Sequence, residues 1–257
     1  MRPVIIVSGA SSSLGSTLCR GLIEAGYKVY AGYHLHRGNL PKSKYLVPLK
    51  LNITERLSCQ RAVQSVIKRE KKFFGLINLV AINPSGDTVT FSDSDFQNIL
   101  DVNAVGPFRL IQAALPHLPV SGRIINVGSL SGLISFPGFS LYSASKFALR
   151  ALSLSLYFEW LPQKKYIVHI APGAIAKYPP VPAPVGSARN RIPLLNWLLP
   201  LVTANHVSRV IIGTLKNPVP PPEILLGVDT FVLTLVRRLI PDFFWTQIQK
   251  IVWQKQR

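Results

Sequence analysis

The stretch PVIIVSGASSSLG, residues 3–15, decides the fold of this chain of 257 residues. Its first part is apolar and rich in β-branched residues, which is typical of a short strand buried on both faces of a parallel sheet. A turn of glycine and small residues follows, and residues 14–25 have the apolar spacing of a helix. Because the N-terminus of a helix offers free N–H groups and the positive end of a dipole, this unit predicts a phosphate-binding loop.

Strand-like and helix-like segments alternate along the rest of the chain. We expect further strands at residues 28–32, 45–50, 75–81, 123–127, 166–170 and 223–226. Helices are expected at residues 54–69, 95–100, 103–118, 142–160 and 205–215, the first with Thr54 as its cap and Leu57 facing inward. This alternation predicts an α/β fold, with a doubly wound, Rossmann-like parallel sheet in a single domain.

The domain is expected to cover residues 1–228 and to carry an insertion after its sixth strand. The insertion, at about residues 174–200, is rich in proline and contains an apolar segment at 192–199 that predicts a short helix. Ligands bind beyond the carboxyl ends of the strands in open α/β sheets, so we interpret the insertion as a lid over an apolar pocket. A purely structural loop is the alternative interpretation.

Residues 229–257 form a basic and aromatic C-terminal extension that Pro241 divides into two amphipathic segments. Phe244, Ile248 and Ile251 fall at helical spacing, and basic residues surround them while Asp242 is the only acid after Thr230. Such a composition is typical of a helix that lies on an anionic bilayer surface. Packing on the domain or on a partner subunit is the alternative.

The bulk composition narrows the class of protein further. With 48% hydrophobic residues the chain can build a large core, and Cys19 and Cys59 are predicted to be buried thiols, with no metal site. No run of 18 apolar residues and no targeting segment is visible, so we expect a cytoplasmic protein, peripheral at a membrane surface if residues 229–257 bind one. The net charge of +18 attracts polyanions in general, but no nucleic-acid-binding motif accompanies it, so no nucleic-acid partner is expected.

A second informative stretch is GRIINVGSLSGLISFPGFSLYSASK, residues 122–146. Ser129 ends a predicted strand, Tyr142 follows thirteen positions later, and Lys146 lies one helical turn beyond Tyr142. Residues four apart share a helix face, so the phenol and the ammonium group can meet, and a nearby cation lowers the pKa of a phenol. The arrangement predicts a tyrosine acid or base, with a serine hydroxyl that polarises a substrate oxygen.

Taken together and in this order, these segments resemble the short-chain dehydrogenase/reductase family over residues 3–227. The resemblance implies a catalytic set of Asn103, Ser129, Tyr142 and Lys146, in which Asn103 positions a water for proton relay. It also implies that a nicotinamide dinucleotide contacts Gly9, Ser11, Ser12, Ser13, Leu14, Gly15, Asn52, Asn83, Tyr142, Lys146, Pro172 and Gly173. The chain departs from the family pattern at Ser13, where a glycine is usual, at Asn52, where an aspartate is usual, and at residues 82–85, which replace Asn-Asn-Ala-Gly.

The residues after the second strand indicate which cofactor is preferred. Enzymes that choose NAD place an acid there for the ribose hydroxyls, whereas residues 32–37 read GYHLHR and contain no acid. A 2′-phosphate would meet His34, His36 and Arg37 instead, and a dianion gains from nearby cations. The sequence therefore predicts NADP(H) in preference to NAD(H), with an exposed and solvated basic loop as the alternative.

The expected function is hydride transfer between NADP(H) and an apolar carbonyl or alcohol that is steroid-, retinoid- or lipid-like. Tyr142 is expected to act as general acid/base, with its pKa held down by Lys146. A catalytically silent nucleotide-binding or scaffolding protein on the same fold is the alternative. Because family members commonly pair through the helices that carry Asn103 and Tyr142, a homodimer or homotetramer is expected by resemblance.

Overall fold

The computed structural model describes residues 2–176 and 201–254 of the chain, with side chains to residue 251. Within these residues, seven strands form one parallel sheet in the order β3-β2-β1-β4-β5-β6-β7. The strands are β1 (Val4–Ser8), β2 (Lys28–Tyr33), β3 (Leu46–Lys50), β4 (Gly75–Asn78), β5 (Arg123–Val127), β6 (Tyr166–Pro172) and β7 (Glu223–Leu226). The strand order reverses between β1 and β4, and this confirms the predicted doubly wound sheet.

Helices cover both faces of the sheet. In the described residues the α-helices are α1 (Ser13–Glu24), α2 (Arg56–Glu70), α3 (Asp93–Leu100), α4 (Gly106–Ala114), α5 (Ser140–Trp160), α6 (Ala204–Lys216), α7 (Val228–Leu239) and α8 (Asp242–Gln254). A π-helical turn, Asp101–Val105, joins α3 to α4, and a 3₁₀ turn, Leu115–His117, follows α4. The helix expected at residues 103–118 is therefore three different helical segments.

Two hydrophobic cores lie on opposite faces of the sheet, as the alternation of side chains along a strand requires. Ile5 and Val7 of β1 face a core that includes residues of α1 and α6, such as Leu18 and Ile211. Val4 and Ile6 face a second core with residues of α2 and α4. Cys19 and Cys59 are fully buried free thiols, one in each core, as the sequence predicts.

The start of α2 differs from the prediction. The helix begins at Arg56, the cap position is Glu55 without a side-chain cap hydrogen bond, and the Thr54 hydroxyl donates to Asn52 Oδ1 at 2.9 Å. Leu57, expected to face inward, is 64% exposed in the first turn. Thr54 thus hydrogen-bonds to Asn52 and does not cap α2. Local side-chain hydrogen bonds of this kind compete with those of the helix.

Buried polar side chains connect the central strands below the carboxyl edge of the sheet. Ser8 Oγ donates to Asn78 Oδ1 (3.3 Å), Asn78 Nδ2 to Asn126 Oδ1 (2.8 Å), and Asn126 Nδ2 to Ser153 Oγ (2.9 Å). Since buried polar groups are costly unless they are hydrogen-bonded, this chain of contacts fixes β1, β4, β5 and α5 relative to one another.

The C-terminal extension forms α7 and α8, which are separated at Pro241 as expected. No helix among the described residues has the length and hydropathy needed to cross a bilayer. Residues 177–200, which hold most of the predicted lid and its expected helix at 192–199, lie outside the described residues.

Candidate active site

The site lies at the carboxyl ends of the strands, where the strand order reverses between β1 and β4. The first loop after β1 is shaped by two glycines and a serine. Gly9 has φ +71°, and a Cβ there would lie 3.0 Å from the Val80 backbone nitrogen. A Cβ on Gly15 would overlap the Gly9 carbonyl, and Ser12 caps α1 by accepting from Gly15 N–H at 3.0 Å. The close approach of the backbone and the N-terminus of α1 fit a pyrophosphate.

Two cavities meet at this loop. One, of about 520 Å³, is lined by Gly9, Ser11, Ser12, Gly32, Tyr33, His34, Leu51, Asn52, Ile53, Thr54, Leu79, Val80, Ala81, Ile82, Asn98 and Val102. The other, of about 690 Å³, shares Ser11 and Ser12 and continues past Ser13 to Ala176. Leu14 packs against the core instead. The groove passes the N-terminus of α1, as a dinucleotide site on this fold requires.

Several predicted cofactor residues line neither cavity, among them Asn83, Tyr142 and Gly173. Asn83 is exposed, and its neighbours Val80, Ala81 and Ile82 line the groove. The departure at residues 82–85 therefore reaches the lining of the groove through Ile82, while Asn83 does not line it.

A smaller basic pocket opens beside the end of β2. Its volume is about 410 Å³, and its lining residues are His34, Lys50, Asn52, Glu55, Ser58 and Arg61. The Glu55 carboxylate accepts from Asn52 Nδ2 at 2.7 Å. Lys50 and Arg61 were not foreseen, because they come from the end of β3 and from α2 and only the fold brings them to His34. The predicted residue Arg37 instead stacks on Tyr33, with 5.5 Å between its guanidinium carbon and the ring centroid.

Ser129, Tyr142 and Lys146 converge on one side of α5. Ser129 follows β5 in an extended conformation and accepts from the Ser131 N–H at 3.1 Å. Tyr142 is buried in the first turn of α5, and Lys146 Nζ lies 5.7 Å from the centroid of its ring. Lys146 is 1% exposed, and its Nζ donates to the Val127 carbonyl at 3.2 Å. The predicted i, i+4 pair therefore shares one face and points into the same region.

The protonation of these groups is governed mainly by burial. Burial lowers the pKa of Lys146 to about 8, because the charged amine is removed from water. Burial also raises the pKa of Tyr142, and hydrogen bonding to the Ser129 side chain opposes this rise. The lowering of the Tyr142 pKa by Lys146 therefore stays a prediction, since in the free protein the contribution that opposes burial comes from Ser129.

Asn103 holds the loop after β4 in place. It is fully buried in the π-helical turn, where its Oδ1 accepts from Ile82 N–H and its Nδ2 donates to the Ile82 carbonyl, each at 2.9 Å. Nδ2 also donates to Ser145 Oγ at 2.9 Å. Both amide hydrogens are thus used by protein atoms, and the side chain connects the loop at residue 82 to the helix of Tyr142.

The predicted Pro172-Gly173 pair ends β6 and contacts the C-terminal extension. A Cβ on Gly173 would overlap the carboxylate of Asp229, which is 5% exposed. Asp229 Oδ2 accepts from the Ala174 N–H at 2.9 Å, so the first turn of α7 fixes the loop that leaves the site. The role of Asp229 was not foreseen, because nothing in its local sequence signals the contact.

A further buried group lies behind the site. His169, on β6, is fully buried, and its Nδ1 lies 3.0 Å from Glu223 Oε1. Glu223 also accepts from Arg150 Nε and Nη2, at 2.7 and 2.9 Å. A carboxylate can only accept, so Nδ1 carries the proton, while Nε2 has no hydrogen-bond partner in the part of the chain that the structure describes. Burial lowers the pKa of His169, which keeps the ring neutral.

Comparisons with known proteins support the family resemblance and the fold. The model of the short chain dehydrogenase family matches residues 3–179, more than half of the chain. The 3-ketodihydrosphingosine reductase of Bacteroides thetaiotaomicron is 29% identical over 176 residues, which cover 67% of this chain and 64% of that protein. Retinol dehydrogenase 5 of Mus musculus is 32% identical over 177 residues, or 66% of this chain and 55% of that one. The chain thus aligns with less than two thirds of the length of either relative.

Solved structures show the same fold. The crystal structure of a short chain dehydrogenase from Burkholderia cenocepacia in complex with NADP superposes with a TM-score of 0.73. The match covers 93% of this chain and 95% of that chain at 24% sequence identity. At this level of identity the likeness concerns the backbone architecture.

Proposed function

The chain belongs to the short-chain dehydrogenase family, and from this premise we propose that it transfers a hydride between NADP(H) and an apolar carbonyl or alcohol. One observation carries the proposal: a fully buried Lys146 lies beside Tyr142 on α5, and Asn103 links this helix to Ile82, which lines the groove at the N-terminus of α1. A buried lysine without a carboxylate partner is costly, and such groups concentrate at functional sites.

Ser129, Tyr142 and Lys146 have different roles in the proposed reaction. Ser129 and Tyr142 bind the substrate oxygen and orient its carbon toward the groove. Bound NADPH supplies the hydride. Tyr142 donates its phenolic proton to the oxygen as negative charge develops, and in the oxidative direction it removes that proton. Lys146, with a pKa near 8, supplies a proton to Tyr142 or receives one at neutral pH.

The basic pocket supports the preference for NADP(H). Lys50, Arg61 and His34 surround a space next to the adenosine side of the groove, where a 2′-phosphate would lie. The one carboxylate there, Glu55, is already engaged by Asn52. A phosphate dianion is stabilised by cations in such a pocket, while the neutral ribose of NAD gains nothing from them.

An apolar substrate is supported by the loop between Ser129 and Tyr142. Leu133, Phe136 and Phe139 are half-buried there and would lie near a substrate bound at Ser129, whereas Ile134 is buried. The lid residues of the sequence prediction lie outside the described residues. The names of the relatives also indicate apolar substrates, a ketosphingoid base in one case and retinol in another.

Pairing of two copies is supported by an exposed face of α5. Ala144, Phe147, Ala148, Ala151, Ser155 and Phe158 are all exposed and fall at helical spacing along it. Phe147 and Phe158 are 39% and 62% exposed. Small residues allow close approach of a second helix, so we propose a homodimer or homotetramer through this face.

The same proposal places the enzyme peripherally at a membrane, because lipid-like substrates partition into bilayers and the C-terminal extension carries the composition of an interfacial helix.

A panel assay tests the proposed activity. Purified protein would be incubated with NADPH and ketones or aldehydes that range from water-soluble to strongly apolar, and the absorbance of the reduced cofactor followed. We expect turnover that rises with the apolar surface of the substrate. Tight NADPH binding with no turnover across the panel would instead favour the catalytically silent nucleotide-binding protein.

A further inference from the structure

The C-terminal extension has its apolar side on the outside. On α7 the exposed apolar residues form one stripe: Val228 (50% exposed), Phe231 (61%), Val232 (37%), Leu235 (45%) and Leu239 (73%). The opposite side of the helix buries polar residues, namely Asp229, Thr230 and Thr234. A helix of a water-soluble domain has the reverse arrangement, with its apolar stripe facing the core.

The second helix continues this surface. Phe243, Phe244, Ile248 and Ile251 of α8 are between 38% and 68% exposed. Nine of the eighteen large apolar side chains that are exposed in the described residues lie between positions 228 and 251. A concentration of this kind marks an interaction surface, since exposed apolar residues are normally scattered singly.

Both helices contact the walls of the candidate active site. Asp229, in the first turn of α7, accepts from Ala174 N–H just after Pro172-Gly173. Gln249 of α8 donates from Nε2 to the Ser135 carbonyl at 3.3 Å, within the loop between Ser129 and Tyr142. The apolar surface is therefore anchored to the loops on either side of the substrate region.

Charge decides which partner fits. Arg238 and Lys250 are exposed beside the apolar residues, Arg237 pairs with Asp242 at 2.8 Å, and Asp229 is buried. Apart from the Arg237–Asp242 pair, the exposed charged groups of residues 228–251 are thus cationic, and the chain as a whole carries +18. Docking of a second copy of the chain on this surface would bring the basic groups of both copies together. An anionic bilayer instead attracts basic groups and accepts apolar side chains.

We infer that the outward faces of α7 and α8 insert into the headgroup region of an anionic bilayer, and that apolar substrate enters the active site directly from that bilayer. The inference rests on the proposed function for the identity of the substrate. Binding to the bilayer itself depends only on the surface.

The test uses the full chain and a triple variant, Phe231→Ser, Leu235→Ser and Phe244→Ser, all at exposed positions. The matched control is Leu57→Ser, Val89→Ser and Val120→Ser, which removes three exposed apolar side chains elsewhere. Vesicles of phosphatidylcholine alone, or with about 30 mol% phosphatidylglycerol, would be floated with each protein at low and high salt. We expect the wild type and the control to float with anionic vesicles at low salt, and the triple variant to bind at least about tenfold less.

Activity then tests delivery of the substrate. With an apolar ketone dissolved in anionic vesicles, the triple variant should lose about tenfold in rate, while its rate on a water-soluble ketone stays at the wild-type level. Equal flotation of all three proteins, or a changed oligomeric state of the triple variant with unchanged flotation, would overturn the inference. Absence of turnover on every ketone, with normal flotation of the wild type, would count against the proposed function only.

Discussion

The imidazole of His169 fills the space that a side chain at position 128 would need. A Cβ on Gly128 would overlap His169 Nε2, and Gly128 directly precedes Ser129. The backbone of Gly128 also donates to the Ile170 carbonyl at 2.8 Å, which keeps the strand end against β6. The position of the Ser129 hydroxyl therefore depends on close contact between a glycine on one strand and a buried ring on the next.

Gly128→Ala should destabilise the fold by about 2–3 kcal/mol and lower turnover, because the core must open to accept the methyl group. Urea denaturation would measure the stability. Gly213→Ala is the control: a Cβ there meets nothing within 4 Å, so this change in α6 should stabilise by up to about 1 kcal/mol. Combining Gly128→Ala with His169→Ala should cost less than the sum of the two single changes, and strict additivity would contradict the contact.

Tyr142→Phe should lower turnover by about 10²–10⁴-fold, because the substrate oxygen loses its proton donor. The dissociation constant for NADPH, measured by fluorescence titration, should change by no more than about twofold, since the removed hydroxyl lies on the substrate side. Tyr45→Phe, at a tyrosine that stacks on Arg2, is the control for both measurements. Turnover of the Tyr142→Phe protein at the wild-type rate would show that the proton comes from another group.

Lys146→Met should abolish turnover and yet stabilise the fold near pH 7, by an amount up to roughly 3 kcal/mol. The native pKa of about 8 lies below the ordinary value of 10.5, so the native state binds this proton more weakly than the unfolded state does. The contribution of Lys146 to the free energy of unfolding of the wild type should consequently increase as the pH rises from about 8 to 10.5.

Urea midpoints across that range would show a flatter profile for the Lys146→Met protein. Lys68→Met, at an exposed position of α2, is the matched control and should keep the wild-type profile. A variant that is less stable than the wild type at every pH would mean that the Val127 hydrogen bond outweighs the cost of the buried amine.

Lys50→Ala and Arg61→Ala should each lower kcat/KM for NADPH by about tenfold, the loss of one charge-assisted contact with a phosphate. The values for NADH should change little, because the neutral ribose makes no such contact. Arg69→Ala, near the other end of α2, controls for loss of a positive charge. Equal losses with both cofactors would place the 2′-phosphate outside this pocket.

Ala151→Arg should convert a dimer or tetramer into smaller species, because a long charged side chain would stand in the middle of the exposed α5 face. Light scattering after size-exclusion chromatography would measure the mass. Gln60→Arg, on the exposed side of α2, adds the same charge away from that face and should leave the mass unchanged.

The sequence predicts the parts of this site whose signals are local. The strand–turn–helix at residues 3–15 and the spacing of Tyr142 and Lys146 follow from short periodicities, and the structure has both. Local patterns failed where side-chain hydrogen bonds compete with helix capping, as when the Thr54 hydroxyl bonds to Asn52 and does not cap α2. They also failed where distant segments meet, as for Arg61 beside His34 or Asp229 beside Gly173. Only the topology of the sheet brings such residues together.

The wide turn that carries Asn103 has a consequence for engineering this protein. A π-helical turn holds an extra residue, so it costs stability and rotates everything after it relative to a regular helix. A stabilised version designed with ideal helices would delete or straighten this irregularity, and the amide would then swing away from residue 82. Thermostability gained by straightening this turn would therefore increase the mobility of the active-site loop at residue 82. Consensus or helix-optimising substitutions are best kept outside Asp101–Val105.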